Sequence, residues 1–242
     1  MGDDGSPAHA PIAAAAAAAV RRRRLLGAGL VVLVLALGAS AAVIRHEPDF
    51  YRAALPADAS RAESLARRMV SKASSLHAAA GREGTWDGVI SADELNAWLA
   101  TDLPRNHGRL LPRGITAPRV AFVPRHVLLA VRTGFGPFSA VAWADLEVRL
   151  QGVNQIGIMV HRAGIGGLPL PGDAMLRRLA GQLREAGLVA DLRRLDGGML
   201  LVVSPPAAYD AARGWRLESL AVETDELLVA GSTARGAKGG DE

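Results

Sequence analysis

The hydrophobic positions of the chain fall into three regimes: one continuous run, several stretches with helical spacing, and a long tract of strict alternation. The continuous run is Leu25 to Ile44, LLGAGLVVLVLALGASAAVI, without a charged residue. At the helical rise it spans roughly 30 Å, the thickness of a hydrocarbon core, and the spacing predicts a transmembrane helix over 25–44. From Ala57 to Ala80, residues Ala62, Leu65, Ala66, Met69, Val70, Ala73 and Leu76 recur at three and four, with Arg61, Arg67, Arg68 and Lys72 between them. That is an amphipathic helix with one packing face. Gly81 to Asp87 breaks it. Ser91 and Glu94 then form an S-x-x-E capping box, with Ile90 as the apolar residue before the cap. Leu95, Trp98, Leu99 and Leu103 line one face of the helix that follows, which Pro104 is expected to end.

Residues 115–163 carry the alternation and predict antiparallel sheet. Val120–Val123 and Val127–Val131 flank Pro124-Arg125. Along 140–151, Ala142, Ala144, Leu146, Val148 and Leu150 alternate with Trp143, Asp145, Glu147, Arg149 and Gln151, which puts the first set on an apolar face and the second in water. Ile156, Ile158 and Val160 continue the pattern after a turn at 152–154. The Gly/Pro loop 164–171 leads into a helix marked by Met175, Leu176, Leu179 and Leu183 and closed by Gly187. Two hairpins follow, 188–192 with 199–203 and 215–222 with 226–230. The expected architecture is α+β: an N-terminal transmembrane helix, then a curved antiparallel sheet packed with two or three amphipathic helices. By segment, 1–24 is a disordered cytoplasmic tail, 25–44 the membrane helix, 45–56 a juxtamembrane linker, 57–230 the folded domain and 231–242 a disordered tail.

Charge sets the orientation. Arg21 to Arg24 precede the apolar run, and only Arg45 and His46 follow it. An inside-positive bias leaves the N-terminus cytoplasmic and the rest periplasmic or extracellular. Two fates fit the run: an uncleaved signal anchor, or a signal peptide cut after the small-residue pattern Ala39-Ser40-Ala41. The formal charge of +4 owes four positive charges to Arg21–Arg24, so the exported part lacks the basic excess of a nucleic-acid binder. The chain contains no cysteine, which excludes disulfides and a lipidated-cysteine anchor.

The candidate chemistry is thin. Glu83, Asp87 and Glu94 fall at the first, fifth and twelfth positions of an EF-hand-like calcium loop, although Glu replaces Asp at the first position and Thr85 stands at the third. The glycines at 164, 166 and 167 lack dinucleotide-fingerprint spacing, and Pro169 and Pro171 occupy the place of a phosphate-binding helix. The six histidines form no H-E-x-x-H pattern, though His126 and His161 sit on predicted strands that could be neighbours. Asp145 and Glu147 share a strand face with Arg149 and Trp143, the look of a solvated strand. No nucleophile elbow occurs, no metal set or cofactor motif is present, and the expectation is a non-enzymatic protein.

The N-terminal membrane segment, the helix Ile-Ser-Ala-Asp-Glu-Leu-Asn-Ala-Trp-Leu (90–99) with its E-L-N-A-x-L core, and the strands leading to Gly-Leu-Pro-Leu-Pro (167–171) together resemble the YpmS-like and related phospholipid-binding-like bacterial proteins. The resemblance spans about 57–190. It implies a curved sheet wrapped around a helix, and binding of lipid or another apolar molecule at the outer face of the membrane. Ligand-lining candidates under that implication are Leu95, Leu99, Leu146, Val148, Ile156 and Ile158. The alternative is a structural or assembly module that docks another envelope protein and holds no ligand. The partners expected are the lipid bilayer and either a lipid ligand or an envelope protein, with no nucleic acid.

Overall fold

The structure is a computed structural model that describes residues 43–54, 58–136, 139–195, 197–206 and 214–234. The tail 1–24, nearly all of the membrane helix expected over 25–44, and residues 235–242 lie outside the described residues. Among the described residues no helix is long and apolar enough to cross a membrane. The chain divides after Val43, and residues from Ile44 onward form one compact unit.

In chain order that unit contains α1 (Asp49–Ala53), α2 (Ala59–Ala80), β1 (Gly84–Ser91), α3 (Ala92–Asn106), a 3-10 turn (Gly108–Leu110), β2 (Ile115–Val123), β3 (His126–Thr133), β4 (Ala140–Gly152), β5 (Gln155–Ile165), β6 (Leu168–Pro169), α4 (Gly172–Glu185), β7 (Val189–Leu195), β8 (Gly198–Ser204), β9 (Trp215–Glu223) and β10 (Glu226–Thr233). The class is α+β with antiparallel pairing throughout. Two sheets form rather than one: a three-stranded sheet, β1-β10-β9, and a seven-stranded sheet, β2-β3-β4-β5-β8-β7, with β6 paired to β5. Three hairpins turn on a non-glycine residue in the left-handed region, Arg125 (φ 70°), Asn154 (φ 59°) and Asp225 (φ 62°). Asn and Asp enter that region more readily than other side chains.

Helix α3 is the hub. Its Ser91 cap accepts from the Glu94 amide at 3.3 Å, as the S-x-x-E spacing predicts. One side packs Ala92, Leu95 and Leu99 against Val120, Phe122, Val127, Val148, Val222 and Leu227, which come from both sheets. The other side sets Ala97, fully buried, against Leu65 and Ala66 of α2. Glu94, 6% exposed, receives a hydrogen bond from Lys72 of α2 at 2.7 Å. Burial alone would raise the Glu94 carboxyl, but Lys72 and the Ser91 contacts outweigh it and hold the group below its ordinary value. Between these faces lies Asn96, 3% exposed. Its carboxamide donates to the Val120 carbonyl at 2.7 Å and accepts from the Val120 amide at 2.8 Å. β2 is the edge of the seven-stranded sheet, so Asn96 bonds to it as a further strand would.

The edge of the small sheet is closed in the same way. Asn154, in the β4–β5 turn, donates to the Trp215 carbonyl at 3.0 Å and accepts from the Leu217 amide at 2.6 Å on edge strand β9. Helix α4 covers β5, β7 and β8 through Leu176 and Ala180, packed on Ala190 and Leu201.

Several expectations are corrected. The twelve residues from Glu83 that match a calcium loop are not a loop between helices: Gly84–Ser91 is strand β1, paired residue by residue with β10. Asp87 lies mid-strand opposite Ala230, and Glu94 is held by Lys72. Thr85, Trp86, Val89 and Ile90 are strand formers, and pairing with β10 decides the segment against the glycines beside them. Pro104 does not end its helix, which runs to Asn106; in the last turn the lost donor and the clash reach only one preceding turn. The tail expected from 231 is corrected over its first residues, because Gly231–Thr233 complete β10. Gly231 is required there, since a Cβ would meet the Trp86 ring at 2.5 Å. Thr233 then accepts from Trp86 Nε1 at 3.1 Å. The linker expected over 45–56 contains helix α1, whose Tyr51 is buried beside Ala130 and Val141.

Asn96→Ala leaves both backbone polar groups of Val120 buried and unpaired, so denaturant unfolding of the detergent-solubilised full chain shows a loss of about 2–4 kcal/mol. A loss below about 0.5 kcal/mol contradicts the edge-closing role.

Candidate functional site

The polar cluster of the seven-stranded sheet sits on the face of β4 opposite Leu146 and Val148. A two-residue period places Trp143, Asp145, Glu147 and Arg149 on this face. Pairing sets His126 of β3 opposite Glu147 and Arg162 of β5 opposite Asp145. A register shift between Asp145 and Leu146 leaves His161 as the extra residue on β5 and brings its ring to 4.7 Å from that of His126.

Each carboxylate holds one histidine and at least one arginine. Asp145 Oδ1 lies 2.6 Å from His126 Nδ1, and its Oδ2 accepts from Arg162 at 3.3 Å. Glu147 Oε2 lies 3.0 Å from His161 Nε2, and its Oε1 accepts from Arg125 at 3.1 Å, with Arg149 at 3.8 Å. A carboxylate only accepts, so the ring nitrogen that faces it, Nδ1 of His126 and Nε2 of His161, is the donor in each pair. Asp145 is 6% exposed, whereas the Arg125 and Arg162 side chains are 78% and 75% exposed. The site is therefore a floor of two carboxylates under a rim of imidazoles and guanidiniums. The three guanidiniums outnumber the two carboxylates, and the rim presents positive charge and N–H donors outward.

This overturns the expectation of a solvated strand at Asp145 and Glu147. Alternation predicts which residues share a face; it cannot say that the polar set comes from three adjacent strands and buries its own acids. The neighbouring of His126 and His161 is the one sign of the cluster that the sequence offers. Among the described residues neither histidine is hydrogen-bonded to a hydroxyl, and no three His, Asp or Glu side chains are placed to hold a metal ion.

The six ligand-lining candidates divide differently. Leu95, Leu99 and Val148 pack in one core cluster; Leu146, Val148 and Ile158 share a second with Ala144 and Ala163. Ile156 pairs with Leu150 and Val203. Three clefts among the described residues are lined by other side chains. A groove of about 480 Å³ runs between α2 and β1, floored by Ala73, Leu76, Ala79, Val89 and Ile90, with Lys72 and Arg82 at its rim. A cleft of about 370 Å³ between α2 and α3 is lined by Glu63, Arg67, Asp102 and Arg105. A third, of about 250 Å³, lies between the residues before α1 and the β3–β4 connection, lined by Arg45, Glu47, Arg132, Gly136 and Ser139.

No protein-family model matches the chain, and no curated protein or solved structure shows significant similarity to it.

The Glu147 carboxyl is held below its ordinary value of 4.5; the His161 hydrogen bond is the largest cause, burial opposes it, and Arg125 and Arg149 add to it. The folded carboxyl releases its proton more readily than the unfolded one, so the pairing stabilises fully above the unfolded value and is lost as pH falls through the lower folded value. Denaturant unfolding at a series of pH values therefore shows wild type more stable than Glu147→Gln at neutral pH, with the gap closing below about 4.5. A gap that is constant from neutral to acid pH contradicts this pairing.

Proposed function

We propose that the chain is a non-enzymatic, membrane-anchored extracytoplasmic module that docks another envelope protein through the Arg/His rim of the seven-stranded sheet. The observation that carries this reading is a pair of carboxylates, the buried Asp145 and the half-buried Glu147, orienting exposed guanidiniums on a sheet face. Fixed guanidiniums suit bidentate recognition of carboxylates, so the partner surface is acidic. The membrane anchoring rests on Arg21–Arg24 followed by the apolar run 25–44. The pattern shared with YpmS-like proteins supports the same placement outside the cytoplasm.

The second reading, a carrier of lipid or another apolar ligand, has one observation in its favour, the groove between α2 and β1. Its apolar floor and cationic rim suit an acyl chain with an acidic head. Five of the six residues first expected to line a ligand pocket pack in core clusters, which favours docking.

The two readings part in a photo-cross-linking experiment on the full chain in its own membranes. A cross-linking residue at His161 forms a discrete protein adduct that Arg125→Glu abolishes, and one at Ile90 forms none. Lipid adducts at Ile90 with no protein adduct at His161 overturn docking in favour of the carrier.

A further inference from the structure

The two ends of the seven-stranded sheet differ. The Arg/His rim lies toward the end where β2 turns into β3. At the other end, β2 begins, β3 finishes and β4 starts, with Ile115 opposite Thr133 and Thr133 opposite Ala140. Gly134 donates to the Gly114 carbonyl at 3.2 Å there, and Phe135 rests its ring edge over Gly114. Phe135 is 76% exposed, the most exposed large apolar side chain among the described residues. On the far side of β4, the β5–β6 turn exposes Leu168 at the same end; Gly166 at its base donates to the Val141 carbonyl at 2.8 Å.

The charges here are chiefly positive. Arg45 and Arg132 line the 250 Å³ cleft with Ser139, and exposed Arg113 stands beside Gly114. Of the acids at this end, Glu47 is bonded to Arg132 and Asp49 to Arg52. Tyr51 lies under the Arg132 guanidinium, 5.8 Å from ring to cation, and bonds the Ala117 carbonyl at 3.1 Å. The segment after Arg45 is thereby fastened to the sheet. Arg45 itself is the first residue after the apolar run 25–44.

We propose that this end of the sheet, Arg45, Arg113, Arg132, Phe135 and Leu168, is a seat for an anionic lipid surface. The proposal rests on the membrane-anchored reading and goes beyond it: the domain stands on the bilayer by a defined end instead of swinging on a tether. Two residues, Arg45 and His46, separate Ile44 from Glu47, so three Cα steps carry the chain at most about 10 Å between the apolar run and the ion pair. The occupant follows from that reach, from the excess of guanidiniums and from the apolar tips beside them. Guanidiniums attract acidic headgroups, and an aromatic ring settles at the boundary between headgroup and acyl chain. Standing this way, the module holds its Arg/His rim clear of the membrane, facing a partner.

The chain contains no cysteine, so one introduced cysteine gives one labelled site. Full-length Phe135→Cys, carrying an environment-sensitive dye, is incorporated into nanodiscs of phosphatidylglycerol or of phosphatidylcholine alone. The control is Val153→Cys in the β4–β5 turn, roughly 40 Å further along β4 at about 3.3 Å per residue. In phosphatidylglycerol the dye at 135 emits to the blue and is quenched by spin-labelled lipid, and the dye at 153 does neither. Arg45→Ser with Arg113→Ser removes most of the quenching, and so does phosphatidylcholine alone. A water-like, unquenched dye at 135 in discs that contain the protein overturns the seat and leaves the anchor standing. A chain that does not elute with the discs overturns the anchor and the seat together.

Discussion

A single buried carboxamide carries much of this architecture. Asn96 faces an edge strand whose amide and carbonyl would otherwise have to find water in a place that has none, and it meets both at hydrogen-bond distance. Because Asn96 sits on α3 between Leu95 and Ala97, the same bonds fix the rotation of the helix. Leu95 is then turned to the two sheets and Ala97 to α2. Had α3 turned by one residue, the buried Glu94 would lose Lys72 and the apolar stripe would miss Val120 and Phe122. Asn154 repeats the device on β9, and each sheet thus has an edge that another strand cannot easily extend.

With β2 clamped to α3, one edge of the seven-stranded sheet is fixed, and its two ends carry different chemistry. One end gathers two carboxylates under histidines and arginines drawn from three strands. The other fastens the segment behind Arg45 through Tyr51 and the Arg132–Glu47 pair. Five of the six predicted lining residues pack in core clusters: α3 and the small sheet lie against Val148, and α4 reaches Leu146 and Ile158 through Met175.

Much of the local structure was legible in the sequence. The Ser91–Glu94 cap, the 57–80 periodicity and the alternation along 140–151 each predict an element close to the one observed, because each rests on contacts between residues near in sequence. What was not legible depends on distant partners. β1 needs β10, nearly one hundred and fifty residues away, to become a strand; Gly84–Ser91 alone has as many turn residues as strand formers. Gly231 looks like the start of a tail until Trp86 lies across it. The acids of the candidate site appear solvated along one strand, and only a register across β3, β4 and β5 shows Asp145 buried and Glu147 partly covered. The physical content of the E-L-N-A pattern is four consecutive residues turned to different partners: Glu94 to Lys72, Leu95 to the two sheets, Asn96 to the Val120 backbone and Ala97 to α2.

The most direct measurement is amide hydrogen exchange on the full chain, read at Val120 and Leu217, the two edge amides that carboxamides accept from. The account predicts protection at both comparable with the central strands β3 and β4, since opening either requires α3 or the β4–β5 turn to leave the core. Rapid exchange at Val120 while β3 and β4 stay protected would contradict it, for the sheet would then hold its shape without the clamp.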